Sequence, residues 1–222
     1  MNYISHFRLD RHREDYIAFG TLFPDLARGP LPHLRLFGIV PGLAHSGPVE
    51  ESMKHGMLRH FEVDKKFHSS SFMLNYSSLL KERFMSSEAG KSGARMFFVS
   101  HILTEMLLDR VLLVHEPALG TEFYDLLARI DTEVITGLFR SHPEYQPERF
   151  TEFFHRFRDS RYLFSYLETE GLFYALNRIC KNIGTPGFAA EHFSAFKEIT
   201  TQAEKMMAGE YLKLFEELSS PG

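Results

Sequence analysis

The sequence has no tryptophan, one cysteine, no surplus of basic residues and no long apolar run free of charged side chains. Each shortage excludes something. The lone Cys180 cannot close an internal disulfide, and its setting, Leu176-Asn-Arg-Ile-Cys-Lys, suits a small buried apolar residue better than a reactive thiol. A formal net charge of -4 gives no electrostatic footing for nucleic acid, which calls for a clustered basic face. The most apolar stretch, Met96 to Val114, is broken by His101, Glu105, Asp109 and Arg110, so no membrane span is expected. The first residues, Met1-Asn-Tyr-Ile-Ser-His-Phe-Arg, carry no apolar signal core. A reducing cytoplasm is the expected setting. Strand-like alternation and internal repeats are missing too, which leaves an all-α chain.

What is abundant is phenylalanine and histidine, 22 and 12 of them in 222 residues. The phenylalanines are the natural filling between helices. With 44% hydrophobic and 24% charged residues, the chain has an ordinary globular composition and length enough for one sizeable core. Residues 1–222 are expected to form a single helical domain of about seven to eight helices, with 1–115 carrying the chemistry and 116–222 completing the bundle.

Residues 1–10 read as a short lead-in carrying His6. Apolar spacing over Glu14 to Ala27 predicts a helix with a kink or restart at Pro24. Positions 29–48 are punctuated by Gly29, Pro30, Pro32, Gly38, Pro41, Gly42, Gly47 and Pro48. A binding loop or lid and a plain surface excursion are both compatible with that. Pro48, Glu50 and Glu51 open a helix that runs to His68, and Ser69-Ser-Ser71 caps the next, to Met85. The segment 94–115 is apolar nearly all round and should be central. Further helices are expected over 121–139, 147–159, 161–182 and 188–218.

Position selects among the histidines. In a helix, residues four apart stack on one face, and two stretches use that spacing to build polar columns. One is His60, Asp64 and His68; the other is His101, Glu105 and Asp109. The spacing alone is weak, since chance supplies about 1.6 histidine-x3-acid pairs in a chain of this composition. Context strengthens it. His101, Glu105 and Asp109 interrupt an otherwise apolar helix, and a buried carboxylate needs a cation. A divalent metal and a network with Arg110 or Arg95 both meet that need. Facing columns would form a nitrogen and oxygen site for one or two ions, of a kind that suits manganese, iron or zinc. Arg59, Lys65 and Lys66 either meet an anionic substrate or are solvent-facing charge. His6/Asp10 and His155/Asp159 share the spacing, the latter in a strongly charged, solvated segment. A ferritin-like di-iron site is excluded, because Glu152/His155 is the sole Glu-x-x-His and that architecture needs two.

In order along the chain, Asn2-Tyr-x-x-His6, Asp25-x-x-Arg28-Gly29, His60-x3-Asp64 and a buried helix with His101-x3-Glu105 resemble the acyl carrier protein phosphodiesterases, which look like divergent all-helical relatives of the HD-domain metal phosphohydrolases. The likeness covers about the first 110 residues. There are departures. Phe61 stands where the family usually has arginine, His68 where it has the next-turn aspartate, and His101 and Glu105 where it has two further aspartates. No histidine is followed directly by aspartate.

The resemblance implies a metal-dependent phosphodiester hydrolase of HD-like fold. His6, Asp25, His60, Asp64, His101 and Glu105 would be the ligands. Arg28 and Lys65 would pair with phosphate oxygens, and His68 or Asp109 would move a proton or orient a ligand. Acyl carrier protein is the implied substrate, a small phosphodiester the open alternative. A non-catalytic helical scaffold with buried histidine and carboxylate networks is the competing reading.

Overall fold

Several helix starts fall where proline or a side-chain cap puts them. The structure is a computed structural model that describes residues 1–44 and 47–220. Its α-helices are α1 (Tyr3–Asp10), α2 (Asp15–Gly20), α3 (Phe23–Arg28), α4 (Leu36–Ile39), α5 (Pro48–Ser69), α6 (Ser71–Met85), α7 (Met96–His115), α8 (Ala118–Arg129), α9 (Thr132–Phe139), α10 (Pro147–Ser160), α11 (Thr169–Asn182) and α12 (Phe193–Ser219). No strand occurs among the described residues, and the all-α expectation holds. Pro24 marks a restart, in the first turn of α3, and Pro147 opens α10. Ser70 caps α6 by accepting the Met73 amide at 3.1 Å.

The twelve α-helices among the described residues outnumber those expected. The lead-in forms α1, the first span restarts at Pro24, the proline-rich stretch holds α4 and one predicted span splits in two, while two others open with 3-10 turns. The span 121–139 breaks at Asp131, whose carboxylate accepts the Glu133 amide at 2.9 Å and starts α9. Such a cap competes with continued helix. The span 161–182 opens as a 3-10 segment, Tyr162–Leu167, before α11, and 188–218 opens with a 3-10 turn before α12. The proline-rich stretch also holds structure, α4 and the 3-10 turn Val40–Gly42; its positions 45 and 46 lie outside the described residues.

The chain forms two compact units, each built from separate stretches of the sequence. The first comprises Asn2–Lys65 and Ala118–Tyr162. Its core is phenylalanine-rich: Phe7 meets Phe123 edge-on at 5.7 Å, and Phe23 stacks on Phe139 at 5.4 Å and packs against Phe150 at 5.2 Å. The second comprises Met1, Lys66–Pro117 and Leu163–Gly222. There α7 packs against α6, α11 and α12, as its apolar circumference demands. A second ring cluster, Phe84, Phe173, Phe188 and Phe196, fills this unit. Cys180 is fully buried, and burial pushes its thiol pKa up, the inert role its sequence setting suggests. No helix among the described residues is long and apolar enough to cross a membrane.

Candidate functional site

Two groups of side chains bring histidine and carboxylate atoms within 4.8 Å of one another: His6, His60 and Asp64 in the first unit, and His68, His101 and Glu105 in the second. The residues expected to hold one or two ions fall into these groups, His60 and Asp64 with His6, and His101 and Glu105 with His68.

In the first group the decisive contact is between two glycines. A Cβ on Gly56 of α5 would stand 2.8 Å from the Gly20 Cα of α2 and would overlap the Ile17 carbonyl oxygen. Only bare backbone tolerates that approach. It brings the Thr21 carbonyl beside His60, one turn beyond Gly56, and His60 Nδ1 lies 2.8 Å from it. A carbonyl can only accept, so Nδ1 carries the proton and Nε2 the lone pair, the arrangement that orients a metal-binding imidazole. Burial holds the His60 pKa below the usual histidine value, against the opposing pull of Asp25, the Thr21 carbonyl and Asp64. The ring is thus neutral at neutral pH, as a ligand must be.

His6, projecting from α1, is 1% exposed and stacks on His60 with centroids 4.2 Å apart. Its Nε2 lies 3.9 Å from both Asp25 Oδ2 and Asp64 Oδ1. That is long for a hydrogen bond. Ligand atoms each about 2.1 Å from a shared ion stand roughly 3–4 Å apart, so the spacing and the mixed donor set fit a divalent ion.

Arg28, with a side chain 80% exposed, reaches to 3.8 Å from Asp25 Oδ1, and Lys65 is exposed on α5 beside Asp64. Arg59 is committed elsewhere. Its Nε bonds both oxygens of the buried Asp10, at 2.6 and 2.8 Å, and Arg13 holds the same carboxylate at 2.6 Å. Asp10 thus serves an ion-pair cluster, while His6 of the same spacing faces Asp25 and Asp64. A cavity of about 280 Å³ in this unit, lined by Phe7, Arg11, Asp15, Glu122 and Arg129 among others, contains none of the predicted site residues.

The second group hangs on α7. His101 Nε2 lies 3.3 Å from Glu105 Oε1, and His68 Nε2 lies 3.8 Å from the same oxygen. The two rings stack at 4.9 Å. Burial raises the Glu105 pKa, but the chain's terminal ammonium at 3.8 Å, together with His101 and His68, outweighs it and holds the carboxyl below its ordinary value. Arg110, considered above as its partner, instead pairs with Glu204 at 3.2 Å and donates to the Thr169 hydroxyl. Asp109 is fully buried one turn beyond Glu105 and belongs to neither group. Thr21 and the terminal ammonium had no mark in the sequence. Glycines inside two helical stretches were the available hint of the α2–α5 contact.

The geometry converges on the residues that carry the family resemblance. A model of the acyl carrier protein phosphodiesterase family matches residues 1–218 of the chain. The chain belongs to that family. No curated protein and no solved structure matches it. For an acyl carrier protein phosphodiesterase family member, the match extends well past the first 110 residues and takes in the helices from α8 to the body of α12. The signature residues His6, His60 and Asp64 form its first group, and Asp25 lies 3.9 Å from His6.

Proposed function

We propose that the chain is a metal-dependent phosphodiesterase whose substrate is the phosphodiester of holo acyl carrier protein. The observation that carries this reading is the first group: two buried imidazoles converge on Asp64 with Asp25 beside them, one ring held by a backbone carbonyl. His6, His60, Asp64 and Asp25 would hold one ion, and His68, His101 and Glu105 a second. Bound there, a divalent ion such as manganese, iron or zinc supplies Lewis-acid polarisation of a phosphoryl oxygen and a lowered water pKa.

The remaining work falls to the chain's own side chains. Hydrolysis adds water across one P–O ester bond, giving a phosphomonoester and an alcohol, so negative charge must be held and a proton delivered to the leaving oxygen. Arg28 and Lys65, both exposed, pair with the non-bridging oxygens. Asp109 is sealed from water and acts by orientation, His68 stays with its own group on the ion, and the leaving oxygen takes its proton from solvent. The buried Thr21 carbonyl contact keeps His60 in one tautomer throughout.

The competing scaffold reading has one observation in its favour: Glu105 already meets an ammonium and two imidazoles. Turnover separates the readings. Chelator-stripped protein reloaded with manganese, iron or zinc is expected to cleave holo acyl carrier protein, and to stop when the metal is removed. Absence of turnover of carrier, nucleotides and small phosphodiesters with every metal would overturn the enzymatic reading and favour the scaffold.

A further inference from the structure

The proline-rich stretch between α3 and α5 has a one-sided charge and a one-sided exposure. From Arg28 to Val49 the sequence contains no acidic residue, while Arg28, His33 and Arg35 are all exposed. Leu31, Leu34, Leu36, Val40 and Leu43 are buried, and Lys54 of α5 donates to the Leu43 carbonyl at 2.7 Å. The segment is therefore pinned by its leucines and by that bond. Phe37 nevertheless points outward, 77% exposed, and its ring meets Phe61 of α5 edge-on at 5.3 Å. Phe61 follows the ligand His60 directly. An outward aromatic on a segment with so many inward leucines is not an accident of a loose loop, and aromatic side chains flanked by arginines are what protein interfaces use as anchors.

We infer that Phe37 and Phe61, flanked by Arg28, His33 and Arg35, form the docking surface for the carrier-protein substrate: an acidic protein surface that presents an apolar side chain next to its phosphodiester. The inference rests on the reading of the preceding subsection. Charge complementarity selects the occupant, since an acid-free basic segment repels a basic partner and attracts an acidic one. Continuity with the site supports it as well. A partner seated on Phe37 and Phe61 lies against the helix that carries His60 and Asp64, with Arg28 3.8 Å from Asp25 at the edge of the same group.

The test uses the full chain and the variants Phe37→Ser and Arg35→Glu, with Leu212→Ser as a control at another exposed apolar position. Binding of fluorescently labelled holo acyl carrier protein is read by anisotropy, and turnover of bis(p-nitrophenyl) phosphate is read separately. The expected result is affinity weakened about tenfold by each of the first two variants and unchanged in the control, with turnover of the small diester intact. The Arg35→Glu loss should shrink as salt is raised. Equal carrier affinity in all four proteins overturns the docking surface while leaving the phosphodiesterase reading in place. Loss of small-diester turnover in Phe37→Ser also overturns it, since the residue then acts within the site. A wild-type protein that dimerises through Phe37 without binding carrier overturns it in favour of a second copy as the occupant. Small-diester turnover then decides separately whether the phosphodiesterase reading stands.

Discussion

Gly56→Ala is the change that best probes how the fold holds its site. The new Cβ would lie 2.8 Å from the Gly20 Cα, and ordinary contact begins at 3.4 Å. α5 must therefore retreat from α2 by about 0.6 Å, and further to clear the Ile17 carbonyl. Added to the 2.8 Å separation of His60 Nδ1 and the Thr21 carbonyl, that retreat stretches the bond to at least about 3.4 Å, where little hydrogen bonding remains. Overpacking of this kind costs about 1–3 kcal/mol, or a fall in Tm of about 2–12 °C for a chain of this size. Freeing the second nitrogen of a ligand histidine lowers metal affinity by about 10–100-fold. Thermal unfolding and manganese titration read the two effects separately. A Gly56→Ala protein with wild-type Tm and wild-type manganese affinity would refute the reasoning, since the glycine contact could not then be what seats His60.

The pH dependence of stability follows from His60. Its folded pKa lies below the unfolded 6.5, so its contribution is present above pH 6.5 and is lost as pH falls through the folded value. Metal-free wild type should lose Tm on acidification from pH 7.5, and His60→Gln should flatten part of that slope; parallel curves would contradict the burial of a neutral ring. Arg59→Met should destabilise by about 2 kcal/mol in urea, because buried Asp10 loses one of the two arginines that hold it among the described residues. The KM for substrate should not change, whereas a raised KM would return Arg59 to the substrate. Asp64→Asn should lower turnover by about 100-fold or more with little change in Tm; retained activity in the folded variant would remove Asp64 from the ligand set.

Much of the fold was legible because its punctuation is local. Pro24, Pro48, Ser70 and Pro147 each mark a helix start by chemistry confined to one turn, and α7 declared itself central by lacking a polar face. Asp131 was equally local and was missed, since the apolar spacing on either side reads through it as one helix. The columns His60/Asp64 and His101/Glu105 were visible because period 3.6 is written in the sequence. Which histidine completes each column was not. His6 stacks on His60 from 54 positions away in the chain, and the fold alone brings them together. Resemblance named Asp25 and placed His6 in the site; spacing pairs His6 with Asp10. The charges were the least legible of all. Arg59 reads equally as an anion contact or a solvent-facing charge and is instead paired with buried Asp10, and Arg110, one of two arginines open to Glu105, is paired with Glu204.

Metal content, measured by elemental analysis on protein equilibrated with manganese, iron or zinc and then dialysed, tests the central claim most directly. Wild type should retain at least one transition metal per chain. His60→Ala should lose the ion held with His6 and Asp64, and His101→Ala only any second ion. A folded wild-type protein that retains no metal after each loading, or a His60→Ala variant with undiminished content, would contradict the account.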